Sequence, residues 1–239
     1  MDLKVIYEDN DLLVIDKPAG VVVFDEKAGD SIINLLVKKY PELSSVGKPP
    51  RFGIIHRLDK DTSGVLLVAK TNESLEFFQK QFKDKKVQKK YIALVAGNLK
   101  QDSGIIQTLI GRSPQNRLKQ KTFSPISKGL GRREAVTEYK VLKRLKGKKN
   151  GEFYTLLEVF PKTGRKHQIR CHLTHINHPI AGDKLYGFKN QPAPANLKRQ
   201  FLHANWIQIE FMASEIIKDF LSEIPDDLAQ ILENLEEMS

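Results

Sequence analysis

Gly53-Ile54-Ile55-His56-Arg57-Leu58-Asp59-Lys60-Asp61-Thr62-Ser63-Gly64, continuing through Val65–Ala69 to Lys70, sets a polar loop against an apolar strand. It holds a polar, chemically able segment between two apolar runs. Ile54 and Ile55 lead in. Val65-Leu66-Leu67-Val68 leads out, and this run is short, β-branched and bounded by Gly64, so it reads as a buried strand. The segment between them is a loop pinned at both ends by core residues. Reactive side chains concentrate on loops held by a rigid scaffold. Asp59 is the candidate reacting group, because a carboxylate beside a core strand is costly to bury unless it is paired. Arg57 and Lys60 are near enough in sequence to pair with it, and a distant arginine would serve equally. The alternative is structural: Asp59 caps a turn or forms a loop ion pair.

The flanking sequence supplies strands more often than helices. Leu3–Glu8 and Leu12–Asp16 are apolar runs separated by Asp9-Asn10-Asp11, a hairpin pattern. Lys17-Pro18-Ala19-Gly20 ends the second run, and Val21–Phe24 resumes extended character. Ser31 is placed to cap a helix with Ile32, Leu35 and Leu36 on its apolar face, stopped by Pro41. Asn72 is placed to cap a second helix running to about Asp84, with Leu75, Phe78, Gln79 and Phe82 as its stripe. Strands are expected at Tyr91–Gly97, Gly104–Ile110, Ala135–Leu142 and Phe153–Phe160, the last two joined by a Lys/Gly-rich turn at 146–151. Ser113–Gly131 reads as a long basic segment without regular structure. Gly164–Asn177 is a helix candidate, with Ile169, Leu173 and Ile176 on one face. Phe201–Phe211 and Ile216–Ile224 read as a hairpin, and Asp226 as the cap of a last helix through Glu237. Sequential strands in this number predict an α+β fold with a mixed, mainly antiparallel sheet flanked by helices and loops. No linker divides the chain, so residues 1–239 are expected to form a single catalytic domain.

Composition narrows the function classes. The chain has 239 residues, 40% of them hydrophobic and 28% charged, as in a soluble globular protein. No apolar run approaches the ~20 residues that span a bilayer, and the N-terminus lacks a signal-peptide charge pattern, so no membrane partner is expected. The single cysteine, Cys171, cannot form an internal disulfide, which suits a cytoplasmic protein. The net charge is +10, and it is unevenly spread. Lysines crowd residues 80–90, Lys and Arg recur through 112–149, and residues 215–239 are acidic. A basic middle of this kind favours a polyanionic partner, RNA or DNA.

At His56-Arg57-Leu58-Asp59 with Thr62-Ser63-Gly64 the chain resembles the catalytic signature of the RluA-type pseudouridine synthases. Further motifs follow in the family's order. Asp16-Lys17-Pro18-Ala19-Gly20 resembles an early Lys-Pro-x-Gly turn. Lys90-Tyr91-Ile92-Ala93-Leu94-Val95 is similar to the family's tyrosine strand. Gly164-Arg165-Lys166-His167-Gln168-Ile169-Arg170-Cys171-His172-Leu173 resembles its arginine motif. His178-Pro179-Ile180-Ala181-Gly182-Asp183, Tyr186-Gly187 and Leu202-His203-Ala204 complete the set. The likeness runs from about Val5 to Pro225. Residues 113–133, rich in glycine and lysine, do not match. The first family-like strand begins near Leu3, so an S4-type RNA-binding module ahead of it is not expected.

The resemblance implies the pseudouridine synthase catalytic fold and an isomerase that turns uridine into pseudouridine in ribosomal or transfer RNA. It implies no cofactor and no metal; no obligate protein partner is implied, and a monomer is expected. Asp59 matches the catalytic carboxylate, which either attacks the nucleotide or removes the ribose 2′ proton. Tyr91 matches a tyrosine able to take the C5 proton. Arg170 matches the arginine that keeps Asp59 ionised. Arg57 matches the residue that fills the RNA stack when the target base flips out. His56, Arg165 and His167 are expected at the RNA, the last two because helix N-termini favour phosphate. Without the resemblance, Tyr91 reads as strand packing and Arg170 as a side chain snorkelling along its helix. His167, His172, His175 and His178 lack the cysteine pair or His-Glu-x-x-His pattern of a zinc site. Asp59 and Asp61, two residues apart on one loop, make a poor pair of facing carboxyls for a glycosidase. Two alternatives stand beside the isomerase: a catalytically silent RNA-binding protein of the same fold, and a nucleosidase that releases uracil.

Overall fold

The computed structural model describes residues 3–24, 31–127, 129–148, 151–212 and 216–238. Its contacts gather into two compact units, Met1–Lys89 with Ala204–Glu223, and Lys90–His203 with Ile224–Ser239. The element content is α+β, as the sequence predicts.

In the first unit, β1 (Lys4–Glu8) and β2 (Leu12–Lys17) form the expected antiparallel hairpin, and Asp9 closes its turn by accepting from the Asp11 and Leu12 N–H groups. β2 pairs antiparallel with β3 (Ser63–Ala69), which is buried at every position, the continuous apolar strand read from the sequence. Beyond β3 lies β9 (Leu202–Glu210), then β10 (Ile217–Leu221) in antiparallel register with β9. Gly64 permits the close approach of β3 to β9: its φ is +117°, and a Cβ there would run into the Ala204 backbone. Helix α1 (Ile32–Lys39) is capped by Ser31, whose hydroxyl accepts from Asn34 N at 3.2 Å. Helix α2 (Asn72–Lys83) begins one residue earlier than expected. Its cap is Thr71, in a reciprocal capping box with Ser74, while Asn72 instead ties down the preceding loop through Gly47 N and Ser45 O. The core joins Leu12, Val14, Val65 and Leu67 to Phe78, Ile207 and Phe220.

In the second unit, β4 (Gln88–Ala96) pairs antiparallel with β8 (Phe153–Pro161), and β8 with the long, bulged β7 (Arg133–Gly147). β7 pairs with β5 (Ser103–Arg112), and β5 with β6 (Gln120–Phe123). Helix α3 (Gln168–His175) is shorter than the span 164–177 expected of it. His167 at its cap adopts a left-handed backbone, φ 55°, so the chain enters the helix only there. The last helix, α4 (Asp226–Glu233), is also shorter than expected, and its cap is Pro225 instead of Asp226. The periodic Leu235 belongs to a strand, β11 (Leu235–Glu237), which pairs with the end of β7. Part of the turn expected at 146–151 lies outside the described residues. No helix among the described residues is long and apolar enough to cross a membrane.

Candidate active site

The loop of the first unit is fixed from below. Leu58, Thr62 and Ser63 are buried, and Asp59 is half-buried between them. Thr62 N donates to Asp59 O at 3.1 Å, closing a four-residue turn over Lys60 and Asp61. The base of the turn rests on Lys17. This lysine is wholly buried at the end of β2, and its ammonium donates to Pro18 O at 2.8 Å, Lys60 O at 3.0 Å and Thr62 O at 2.9 Å. Gly20 N adds a further bond to Lys60 O, at 2.9 Å. A buried ammonium requires acceptors on every proton, and these backbone carbonyls meet that demand while fixing the turn that carries Asp59. The Lys-Pro-x-Gly turn is therefore a clamp on the aspartate loop, a function its sequence did not disclose.

His56 is drawn into the interior. Its ring stacks on Phe82 of α2, with centroids 4.9 Å apart and planes 18° from parallel, and Nε2 accepts from Leu67 N at 3.1 Å. Burial, with the nearby Lys89 charge, pushes its pKa down to about 3, so the ring is neutral. Burial also lowers the Lys89 ammonium to about 8. Arg57 points outward. Its guanidinium carbon lies 5.3 Å from the centre of the Phe24 ring, and Arg51 lies 4.8 Å from the same ring.

The second unit carries the other expected residues. Tyr91 sits in β4 opposite Val159, half-buried against the core. Arg170, on α3, is buried. Its Nε and Nη2 grip Asp183 as a fork, at 2.7 and 2.9 Å. Burial pushes the Asp183 carboxyl up, but the Arg170 hydrogen bond and charge, with the Tyr186 and Leu185 N–H groups, outweigh it and hold the pKa below the ordinary value. Arg170 also lies over the Tyr186 ring, 5.0 Å from its centre. Tyr186 is the hub of this corner: its hydroxyl accepts from Gln120 N at 2.7 Å and meets His167 Nδ1 at 3.0 Å. It thereby ties β6, the helix entrance and Arg170 together.

Arg165 precedes α3 instead of beginning it. Its Nε donates to Glu134 O at 2.9 Å, and its backbone N to Gln168 Oε1 at 3.0 Å. Burial and the charge of Arg133 lower its pKa, the mark of a locally positive surface. Behind it runs a buried polar chain. Thr163 donates to Gln168, Gln168 to Thr137, and His172 lies between Thr137 at 2.8 Å and Thr108 at 3.1 Å. Burial, aided by the His175 charge, lowers His172 to about 4. Two further histidines face separate partners, His175 toward Thr122 and His178 toward Ala96 O. Lys17, Asp183, Tyr186, Gln168 and Phe24 were not assigned roles from the sequence. The signal present for Lys17 was a charged residue closing an apolar strand.

A family model described as RNA pseudouridylate synthase matches residues 11–175. The chain is similar to "Ribosomal large subunit pseudouridine synthase D" of Nitrosomonas europaea, 39% identical over 97% of this chain and 64% of that protein. It is also similar to "Uncharacterized RNA pseudouridine synthase" of Aquifex aeolicus, 43% identical over 82% of this chain and 59% of that one. The chain thus spans 59–64% of the length of these curated relatives. Among solved structures, "Human RNA Pseudouridylate Synthase Domain Containing 4" superposes with a TM-score of 0.74 at 26% identity, covering 98% of this chain and 94% of that one. "Human RNA Pseudouridylate Synthase Domain Containing 1" gives 0.79 at 24% identity, covering 100% and 89%, a likeness of fold.

Proposed function

This chain belongs to the RNA pseudouridylate synthase family, and from that premise we propose that it isomerises uridine to pseudouridine in a structured RNA. The observation that carries the reading is the Asp59 turn, held by the buried Lys17 ammonium in the first unit. Such a support fixes the backbone that carries the carboxylate, and a fixed backbone helps to position a nucleophile or base.

In the proposed reaction the target nucleotide is flipped from its stack, because its reacting bonds are otherwise enclosed. Asp59 either bonds to the nucleotide or takes the ribose 2′ proton. By either route the N1–C1′ bond breaks and the detached uracil turns. C5 then bonds to C1′ as the Asp59 bond to the nucleotide breaks or, on the other route, as Asp59 returns the 2′ proton to the ribose. The Tyr91 phenolate takes the C5 proton, and N1, which left carrying the electron pair of the broken bond, takes up one proton, so the product is an isomer of the substrate. The sequence of steps is redox-neutral and moves only protons and one carbon bond, so the proposal includes no metal and no cofactor. Arg170, held by Asp183, is assigned as counter-charge to Asp59. Arg57, Arg165 and His167 are assigned to the RNA. His56 serves it indirectly, since its stacking on Phe82 fixes the backbone that presents Arg57.

The names of several relatives support large-subunit ribosomal RNA as the first substrate to test, with transfer RNA second. The proposal further takes residues 1–239 as one catalytic domain acting as a cytoplasmic monomer. The test is nucleoside analysis. Unmodified transcripts of both RNAs are incubated with the protein, digested, and separated with a carbodiimide label, since pseudouridine and uridine have the same mass. New pseudouridine is expected. Tight binding without product would establish the silent RNA-binding protein, and free uracil the nucleosidase.

A further inference from the structure

We propose that Phe24 is a positioning residue for Arg57, and that Arg51, seated on the same ring, is a second RNA-contacting cation. The inference rests on the RNA-isomerase reading and extends it to residues outside its motifs. Three observations within the first unit carry it. Both guanidinium carbons lie within cation–π range of the Phe24 ring, at 4.8 and 5.3 Å. Both arginines are exposed while Phe24 is half-buried, so the ring is anchored and the cations are offered outward. Among the described residues, neither guanidinium has a hydrogen bond or an ion pair.

The outward exposure of both cations favours one of two readings of the stack. An arginine placed only for structure is usually spent on a carboxylate or on backbone carbonyls, as Arg144 is here. Two arginines that share a ring repel each other in the free protein. A polyanion relieves that repulsion. The ring orders the Arg57 side chain without consuming its N–H donors. Those donors, and the flat outer face of the guanidinium, stay available for a phosphate or for stacking in the RNA. The backbone of Arg57 is already fixed by buried Leu58 and by the His56–Phe82 stack. Phe24 extends that order to the end of the side chain, which lowers the entropy lost on binding. Arg57 is two residues from Asp59, so the ordered cation lies beside the proposed reacting carboxylate in the chain.

The experiment is steady-state kinetics and Kd measurement on an unmodified large-subunit ribosomal RNA transcript, for wild type, Phe24→Leu, Phe24→Tyr, Arg51→Ala, Arg57→Ala and the double variant Phe24→Leu/Arg57→Ala. Thermal unfolding of each variant tests that it is folded. Phe24→Leu keeps an apolar side chain but removes the ring, and is expected to lower kcat/KM about fivefold. Phe24→Tyr is expected to restore it. In the Arg57→Ala background, Phe24→Leu is expected to cost less than about twofold, because the ring then has one cation left to hold. Arg51→Ala is expected to raise KM more than it lowers kcat, and to reduce the salt slope of RNA binding by about 0.7–0.9. Wild-type values for Phe24→Leu, equal losses with and without Arg57, or failure of Phe24→Tyr to restore activity would each overturn the role of Phe24. An unchanged salt slope would overturn that of Arg51. A wild-type protein that binds the RNA without forming pseudouridine would sink the isomerase reading instead, and the Kd series would still decide this one.

Discussion

At the scale of single residues, the account places different demands on Lys17, Tyr91 and Asp59. Lys17 is buried with its ammonium on three carbonyls. Lys17→Met keeps the stem and removes the donors, leaving those carbonyls to find other partners. A loss of about 2–3 kcal/mol is expected in urea unfolding, because buried acceptors without donors carry their desolvation penalty. Activity should fall further than stability explains, since two of the three carbonyls belong to the turn that holds Asp59. Tyr91→Phe removes only a hydroxyl from a half-buried strand residue. Single-turnover assays should show loss of pseudouridine with RNA affinity within a few-fold of wild type; a full rate would remove Tyr91 from its assigned role as base. The loop around Asp59 was legible because polar residues so close to a core strand stand out against its apolar pattern. Lys17 and Phe24 were not. A lysine that closes a strand, or a phenylalanine in an extended segment, shows its role only when distant residues such as Thr62 and Arg57 come to it.

At the scale of elements, β2, β3, β4, β5, β8 and the β9–β10 hairpin were legible because each is a run of apolar or alternating residues with turn residues at its ends. The misread elements share a cause: their partners are far off in sequence. β6 lies hidden in a basic segment and is specified by its register with β5, Leu109 opposite Phe123. Leu235 continues the helical period of Leu228, Ile231 and Leu232, yet pairs with Gly147. The start of α3 was set too early because nothing local announces the left-handed backbone at His167. This helix also carries a pH-dependent term. His172 is held down to about 4 by burial and the His175 charge, and His56 in the other unit to about 3. Both are neutral in the folded protein, whereas the unfolded chain takes up protons near pH 6.5, so it binds more protons as the pH falls. Stability should be full above pH 6.5 and decline toward pH 4, with His172 contributing about 3 kcal/mol of the loss. Asp183 acts lower on the scale: its depressed folded pKa makes its contribution present above the ordinary carboxylate pKa and lost as the pH falls through the folded value. Urea midpoints from pH 7.5 to 4.5 test this, and His172→Gln should flatten the decline. An unchanged slope in that variant would show that His172 is not the group responsible.

At the scale of the whole molecule, the net charge of +10 and the concentration of Lys and Arg in residues 80–90 and 112–149 imply binding dominated by phosphate contacts. The logarithm of RNA affinity should fall linearly with the logarithm of salt concentration, with a slope of about 0.7–0.9 for each phosphate neutralised. A salt-independent affinity would contradict that reading of the charge. Composition pointed to a polyanion, and the motif series pointed to the family and to the reaction proposed for it. Neither could reveal how the reactive loop is held, which required Lys17, Thr62 and Gly20 to be seen in one place. Asp59 is proposed as the reacting carboxylate, and a single substitution probes that role. Asp59→Asn keeps the shape of the side chain and removes its charge. Single-turnover pseudouridine formation and Kd are measured on the same unmodified RNA for the wild type and this variant. Product is expected to disappear in Asp59→Asn while Kd stays within a few-fold of wild type. Pseudouridine formed by the folded variant at the wild-type rate would contradict it.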